Sequence, residues 1–231
     1  MDPGRLQPLE PPRSLTEDAA DRIREQILTG GFRQGEHLVE TRIAQQLNIS
    51  RGPVREAFKL LRAEGLLQEE PRRGSFVVRM APEDVRGIYG LRAAIEGRAA
   101  KVVAARHDLP ALDHLASLVD AIDEAVARNE ASAVFAADLA FHAALVAAAG
   151  NPSLEEVFTR YVPRMRALLR LDEHVYRRLD DIAKEHRPLV EAIRQGDAAR
   201  AGALAEEHCD HAGDLIAAYV ETRETPDGDL P

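Results

Sequence analysis

From residue 83 to residue 222 the apolar residues recur at the three- and four-residue intervals of an α-helix, and no alternating strand pattern interrupts them. Prolines, glycines and asparagines break this stretch into segments. We therefore predict six helices, at 83–106, 110–128, 131–149, 152–178 with a kink at Pro163, 180–195 and 197–222. Six amphipathic helices in a row can bury their apolar faces by forming an antiparallel helical bundle.

The first 78 residues follow a different pattern. Residues 1–13 hold four prolines and no apolar periodicity, so we expect a flexible arm. Residues 14–78 predict three helices, the first capped by Ser14 and the third by Ser50, followed by two short strands joined by a hairpin. This outline is that of a winged helix-turn-helix. We expect a linker at 79–82, a second domain at 83–222 and a frayed tail at 223–231.

The distribution of charge separates the two parts of the chain. The net charge is -9, but residues 1–80 hold 13 basic and 12 acidic residues, against 17 and 27 in the remainder. The chain has no apolar signal core and no uninterrupted apolar run long enough to span a membrane. Its one cysteine, Cys209, is compatible with a reducing compartment. We expect a cytoplasmic protein with a locally basic N-terminal domain.

The predicted third helix, SRGPVREAFKLLRAEG at 50–65, has one apolar and one basic face. The basic face carries Arg51, Arg55, Lys59 and Arg62. An arginine at a helix start can enter the major groove and pair with guanine, and Gly52 lets the backbone approach DNA closely. The alternative is an ordinary solvated charged face.

The predicted hairpin adds positive charge next to this helix. Arg72, Arg73 and Gly74 lie at its tip, where basic side chains could contact the phosphate backbone or enter the minor groove. Basic residues on two neighbouring elements favour DNA binding over a solvated face.

The segment HLVETRIAQQLNISRGPVREAFKLLRAEGLL, followed by PRRGSFV, resembles the DNA-binding domain of the GntR family of bacterial transcription regulators, over about residues 15–78. The resemblance implies that Arg51 and Arg55 read bases, that Ser50 and Gly52 approach phosphates, and that Gly74 marks the wing tip. Glu40 and Arg42 depart from the commonest family spelling, so we expect a weaker DNA contact at Arg42. The implied partner is double-stranded operator DNA, bound as a palindrome by a homodimer.

Ionisable side chains interrupt the apolar stripes of three C-terminal helices. They are Asp138 and His142 on one stripe, His186 on a second, and His208 with His211 on a third. An unpaired buried carboxylate costs several kcal/mol, whereas a divalent metal uses the charge and the imidazole nitrogens together. Any one histidine could be a hydrogen-bonded core residue. Three of them with an aspartate favour a metal site, with His211 as second choice to His208.

The segments DLAFH at 138–142 and EHR at 185–187, together with His208, resemble the metal set of the FCD effector domain in the FadR subfamily. The resemblance implies four ligands to a divalent ion such as zinc, nickel or manganese: Asp138, His142, His186 and His208. Coordination positions would stay open for a small carboxylate effector. Six C-terminal helices favour the branch with the shorter effector domain.

Arg92 is a charged residue on a face otherwise made of Ile88, Ile95, Ala99 and Val102. YGLRAAIE at 89–96 resembles the first FCD helix, which implies that Arg92 binds the effector. Arg164 is a second candidate. For both arginines the alternative is an internal salt bridge.

Together these patterns predict a ligand-responsive DNA-binding transcription regulator, a repressor, whose helical domain binds a divalent metal and a small organic acid. Acid binding would shift the population of bundle conformations and change the spacing of two winged helices. A metal-dependent hydrolase, and a constitutive repressor with a purely structural metal, are the alternatives.

Overall fold

The computed structural model describes residues 14–175 and 179–224, including their side chains except those of 166–175 and 223–224. The predicted arm at 1–13 lies outside the described residues, as do positions 225–231 of the predicted tail. The chain divides into two compact units between Val78 and Arg79.

The first unit contains three helices and a small antiparallel sheet. In chain order its elements are α1 (Leu15–Leu28), β1 (His37–Leu38), α2 (Glu40–Leu47), α3 (Arg51–Ala63), β2 (Leu67–Glu70) and β3 (Gly74–Val77). The central strand is β3, where Phe76 lies opposite His37 of β1 and Gln68 of β2. The predicted winged helix-turn-helix is confirmed, and β1 is an additional strand too short to show a period-2 pattern.

Local signals explain most of these boundaries. Ser14 and Glu17 form the predicted capping box of α1. Asn48 ends α2 in the left-handed conformation, at φ 54°. Ser50 stands at the N-cap of α3, but its side chain makes no capping hydrogen bond, contrary to expectation. The apolar face of α3 is fully buried in this unit, through Val54, Ala57, Phe58 and Leu61.

The second unit is an all-α bundle. Its six helices are α4 (Pro82–Arg106), α5 (Leu109–Ala127), α6 (Ala131–Ala148), α7 (Pro152–Val175), α8 (Asp180–Arg194) and α9 (Ala198–Glu224). Helix α4 packs along α9, and α5 packs against α6 and α8. A Cβ on Gly97 would lie 2.5 Å from Glu206, and one on Gly213 would lie 2.6 Å from the Cβ of Tyr89. Glycine at these positions therefore permits the close approach of α4 and α9.

Helix α6 is long and apolar enough to cross a membrane by length and composition alone. However, Asp138 and His142 on this helix are buried inside the bundle, together with Phe141 and Leu145. Its apolar character is that of a core helix.

Candidate metal centre and candidate nucleic-acid interface

Three helices of the second unit bring four predicted ligands together. Asp138 and His142 lie one turn apart on α6, His186 comes from α8, and His208 comes from α9. One ligand atom from each residue lies within 4.8 Å of the others. His211, the second choice on α9, is exposed and is not part of this cluster.

The spacing of the donor atoms fits a single ion. The Nε2 atom of His142 lies 3.3 Å from the Nε2 atoms of both His186 and His208. Asp138 Oδ1 lies 3.3 Å from His186 Nε2 and 3.5 Å from His142 Nε2. Ligands about 2.1 Å from a metal are separated by about 3.0 to 3.4 Å when they occupy adjacent octahedral or tetrahedral positions.

The other ring nitrogen of each histidine faces an oxygen. Nδ1 of His142 lies 2.5 Å from Glu96 Oε2, that of His186 lies 2.7 Å from the Ile182 carbonyl, and that of His208 lies 3.1 Å from Glu185 Oε2. Carbonyls and carboxylates only accept hydrogen bonds, so Nδ1 donates in each ring. In the neutral rings the lone pair is therefore on Nε2. Three such lone pairs pointing at one another repel unless a metal ion or a proton lies between them.

The charges around the cluster favour a cation. Burial opposes the charged form of Asp138, but His142, His186 and His208 outweigh it and lower the pKa of this carboxyl below its ordinary value. Burial, together with the neighbouring His208, lowers the pKa of His186 to about 3. At neutral pH the site therefore offers an ionised carboxylate and a neutral imidazole, the forms that bind a metal.

Arg92 is buried on α4, with 3% of its surface exposed, and is held by Glu96 one turn later. Its Nε donates to Glu96 Oε1 at 2.8 Å, and its guanidinium lies 4.8 Å from the ring centre of Tyr89. The internal salt bridge weighed as an alternative is thus present. The Nη2 atom of Arg92 has no hydrogen-bond partner among the described residues.

A small cavity lies beside Arg92 and two of the candidate metal ligands, Asp138 and His208. Its volume is about 10 Å³, roughly the space one water molecule needs. Its lining residues are Tyr89, Arg92, Phe135, Asp138, Ile182, His208 and Ala212. Arg164 is not among these described lining residues; it is half-buried, 5.6 Å from the ring centre of Tyr161. The structure therefore brings Arg92, and not Arg164, to the predicted ligands.

Glu96 is the residue that sequence reasoning missed. It is 1% exposed and touches both Arg92 and His142. Burial opposes its charged form, but Arg92 and His142 lower the pKa of Glu96 below its ordinary value. The i,i+4 spacing from Arg92 was the available signal, because it places Glu96 on the same face of α4.

On the first unit, the two arginines predicted to read bases are exposed at the start of α3. Their side chains are 59% exposed for Arg51 and 54% for Arg55. Glu40 at the start of α2 lies 3.3 Å from Arg55 Nε and 3.8 Å from Arg51 Nη2. A Cβ added at Gly52 would meet nothing within 4 Å. Ser50, just before them, is also exposed.

The other basic residues of α3 have partners within the unit. Lys59 pairs with Glu56 at 2.9 Å. Arg62 is only 25% exposed and donates to Ser75 Oγ at 3.2 Å, so it braces α3 against β3 instead of facing outward.

The wing tip carries the three residues predicted there. Arg72 and Gly74 both have positive φ, at 66° and 99°. Arg73 forms an ion pair with Glu70, and its guanidinium lies 5.1 Å from the ring centre of Phe76. Arg73 is 69% exposed despite these contacts, so its charge still faces solvent.

Comparison with known proteins assigns both units to families. Residues 15–77 match the profile described as bacterial regulatory proteins, gntR family, and residues 87–211 match the FCD domain. A protein of Paenarthrobacter nicotinovorans named "Probable D-xylose utilization operon transcriptional repressor" is 31% identical over 90% of this chain and 88% of its own length. The gluconate operon transcriptional repressor of Bacillus subtilis is 24% identical over 77% of this chain and 74% of its own.

Solved structures show the same arrangement of elements. A GntR transcriptional regulator from Rhodococcus sp. RHA1 has a TM-score of 0.72 and 26% identity, and the match covers 88% of this chain and 97% of that one. Escherichia coli McbR/YncC shares the fold, with a TM-score of 0.68 at 20% identity over 92% of this chain and 99% of that one.

Proposed function

The chain belongs to the GntR family of bacterial regulatory proteins and carries an FCD domain, and on that premise we propose that it is a cytoplasmic, metabolite-responsive transcriptional repressor. Its first unit binds a palindromic operator as part of a homodimer. Its second unit binds a divalent metal ion and, beside it, a small organic acid. The observation that carries this proposal is the convergence of three Nε2 lone pairs and the Asp138 carboxylate next to an unpaired Arg92 nitrogen.

In the first unit, we assign base reading to Arg51 and Arg55, whose exposed guanidinium groups stand at the start of α3. Ser50 and Gly52 lie at the same helix start, where no side chain at position 52 blocks a phosphate. Arg72, Arg73 and Gly74 form the wing tip, where arginine charge contacts the DNA backbone or the minor groove.

In the second unit, Asp138, His142, His186 and His208 would hold the metal ion, with zinc, nickel and manganese as the candidates. When bound, the ion supplies positive charge and open coordination positions. The chain itself presents the donor atoms already oriented, because Glu96, Ile182 and Glu185 hold the three rings by their Nδ1 atoms.

We assign the organic acid to the cavity between Arg92 and the metal ligands. Arg92 offers Nη2 as a charged donor for one end of a carboxylate. The cavity of about 10 Å³ is too small for such a molecule, so wall residues such as Phe135 and Ile182 must move when the acid binds. This movement is what couples acid binding to the conformation of the bundle. Arg164, the second candidate, does not line this cavity, so a contact from it to the acid would also require movement of the bundle.

Two relatives support metabolite control. Their names refer to operons for D-xylose and gluconate utilisation, a sugar and a sugar acid. The hydrolase alternative is set aside because the family and the relatives are transcriptional regulators, not enzymes. A constitutive repressor with a structural metal is the outcome against which the proposal is tested.

The test compares three purified proteins: the parent, the double variant Asp138→Ala/His142→Ala, and the variant His211→Ala. His211 is an exposed histidine outside the candidate site, so His211→Ala controls for the loss of a histidine. Elemental analysis is expected to find about one metal per chain in the parent and the control, and none in the double variant. A thermal-shift screen then measures whether any small carboxylate raises the melting temperature of the parent and of the control without raising that of the double variant. Metal without any acid-induced shift would favour the constitutive repressor, and absence of metal in all three would refute the metal site.

A further inference from the structure

A single buried carboxylate connects the two halves of this site. Glu96 on α4 is 1% exposed, and each of its oxygens accepts a hydrogen bond from a neighbouring side chain. Oε1 receives Arg92 Nε at 2.8 Å, and Oε2 receives His142 Nδ1 at 2.5 Å. The first partner belongs to the proposed acid site and the second to the proposed metal site.

We propose that Glu96 is a positioning residue that determines which nitrogen of His142 is available to the metal and at the same time holds Arg92 at the acid cavity. This inference rests on the proposed metal site. Glu96 is neither one of the four candidate ligands nor one of the residues that line the cavity, so it acts through His142 and Arg92.

The geometry explains why the residue must be a carboxylate. Both partners donate, and only a carboxylate accepts on two oxygens at once. A glutamine has one accepting oxygen and one donating nitrogen, so it can satisfy only one of the two donors. The charged guanidinium of Arg92 makes the stronger hydrogen bond to that oxygen, which leaves the amide NH₂ facing His142. His142 must then accept at Nδ1 and carry its proton on Nε2, the atom that has to bind the metal.

The chain offers a control carboxylate that also pairs with a basic side chain of α4. Glu206 on α9 pairs with Lys101 of α4 at 2.7 Å, but both side chains are more than 40% exposed and neither touches the cluster. Glu206→Gln therefore removes a carboxylate charge and an α4–α9 ion pair without altering His142 or Arg92.

The experiment measures zinc affinity by competition with a chromophoric chelator, together with nitrogen NMR shifts of the histidine rings in the metal-free protein. Glu96→Gln is expected to weaken zinc binding about 10- to 100-fold, the range for residues that orient metal ligands. Glu206→Gln is expected to match the parent. The neutral ring of His142 is expected to carry its proton on Nδ1 in the parent and on Nε2 in Glu96→Gln.

If Glu96→Gln does not fold, the NMR measurement on the parent still tests the proposed role of Glu96. A metal-free parent in which the neutral ring of His142 carries its proton on Nε2 would overturn the proposal by itself. Zinc affinity of Glu96→Gln equal to that of Glu206→Gln would do the same. A parent that binds none of zinc, nickel and manganese removes the metal site and the role of Glu96 together. A parent that binds zinc as tightly as Glu96→Gln does removes only the role of Glu96.

Discussion

At the scale of single residues, a glutamate forms ion pairs with the candidate functional arginines of each unit. Glu40 contacts Arg51 and Arg55 on the exposed surface, and Glu96 contacts Arg92 in the interior. The two environments give the pairs different strengths. An exposed ion pair contributes up to about 1 kcal/mol, whereas breaking a buried pair costs several kcal/mol. We therefore expect changes at Glu40 to alter recognition more than stability.

Arg51→Ala and Arg55→Ala are each expected to cost about 1 to 3 kcal/mol in operator binding and to relax sequence preference, because each would remove a proposed base contact. Fluorescence anisotropy at constant salt against the operator and a scrambled duplex measures both effects. Arg22→Ala, which removes an exposed arginine from α1, controls for the loss of charge. Operator affinity equal to the control would remove Arg51 and Arg55 from base readout.

Glu40→Gln is expected to reduce the free-energy preference for operator over random-sequence DNA by about 0.5 to 1 kcal/mol, the scale of an exposed ion pair. The ratio of the two affinities falls accordingly. The reason is that the guanidinium groups of Arg51 and Arg55 lose the carboxylate that orients them, while random-sequence binding loses a repulsive charge. The same anisotropy assay gives the ratio. Glu56→Gln, which breaks the pair with Lys59, is the control, and an unchanged ratio in Glu40→Gln would show that Arg51 and Arg55 need no such support.

At the scale of elements, the wing depends on backbone conformations that most residues avoid. Gly74 begins β3 at φ 99°, and a Cβ there would lie 2.8 Å from His37 Nε2. His37 in turn stacks on Phe76, with ring centres 4.7 Å apart. The short strand β1 is thus tied to β3 by a side-chain contact as well as by backbone pairing. A residue larger than glycine at position 74 disturbs both.

Gly74→Ala is expected to destabilise the first unit by about 1 to 3 kcal/mol, the cost of holding a non-glycine residue in a sparsely populated conformation. Hydrogen–deuterium exchange of peptides covering β1 and β3 should therefore become faster. Gly52→Ala is the control, because its added Cβ meets nothing within 4 Å and alanine is the better helix former. Equal protection in the two variants would argue against strain at Gly74.

At the scale of the whole molecule, the buried charged side chains of the described residues all lie in the second unit. The second unit holds Arg92, Glu96, Asp138, His142 and His186 among its buried polar residues. Taking these groups out of water is costly unless they are paired or bind a cation. The bundle is therefore expected to depend on the ion for part of its stability, in addition to its apolar core.

Removal of the ion with EDTA is expected to lower the thermal stability of the second unit, which supplies all four donors. A ligand present at 100 times its Kd stabilises the folded state by about 2.7 kcal/mol. Differential scanning calorimetry with and without EDTA, followed by zinc addition, measures the loss and its recovery. Asp138→Ala should show little response to EDTA, and a parent that melts at the same temperature in both conditions contradicts the prediction.

Local pattern was sufficient for the helices and for the candidate ligands. Helical periodicity and capping residues act within a few positions, so the bounds predicted for α4 to α6 agree with the structure to within two residues. Asp138 and His142 stand out for the same reason, since their i,i+4 spacing places them on one face of α6. The role of these residues as ligands stays a prediction.

Only the tertiary structure decided which residues meet across helices. Glu96 and His142 lie 46 positions apart, and Arg62 and Ser75 come from a helix and a strand. These contacts depend on how whole elements pack, which no local period encodes. The sequence by itself determined two domains of known class, and placed ionisable residues on buried faces. The packing of α4, α6, α8 and α9 brings Arg92 and the candidate donor atoms together. This convergence depends on the distances between helices, which the sequence of each helix does not determine alone.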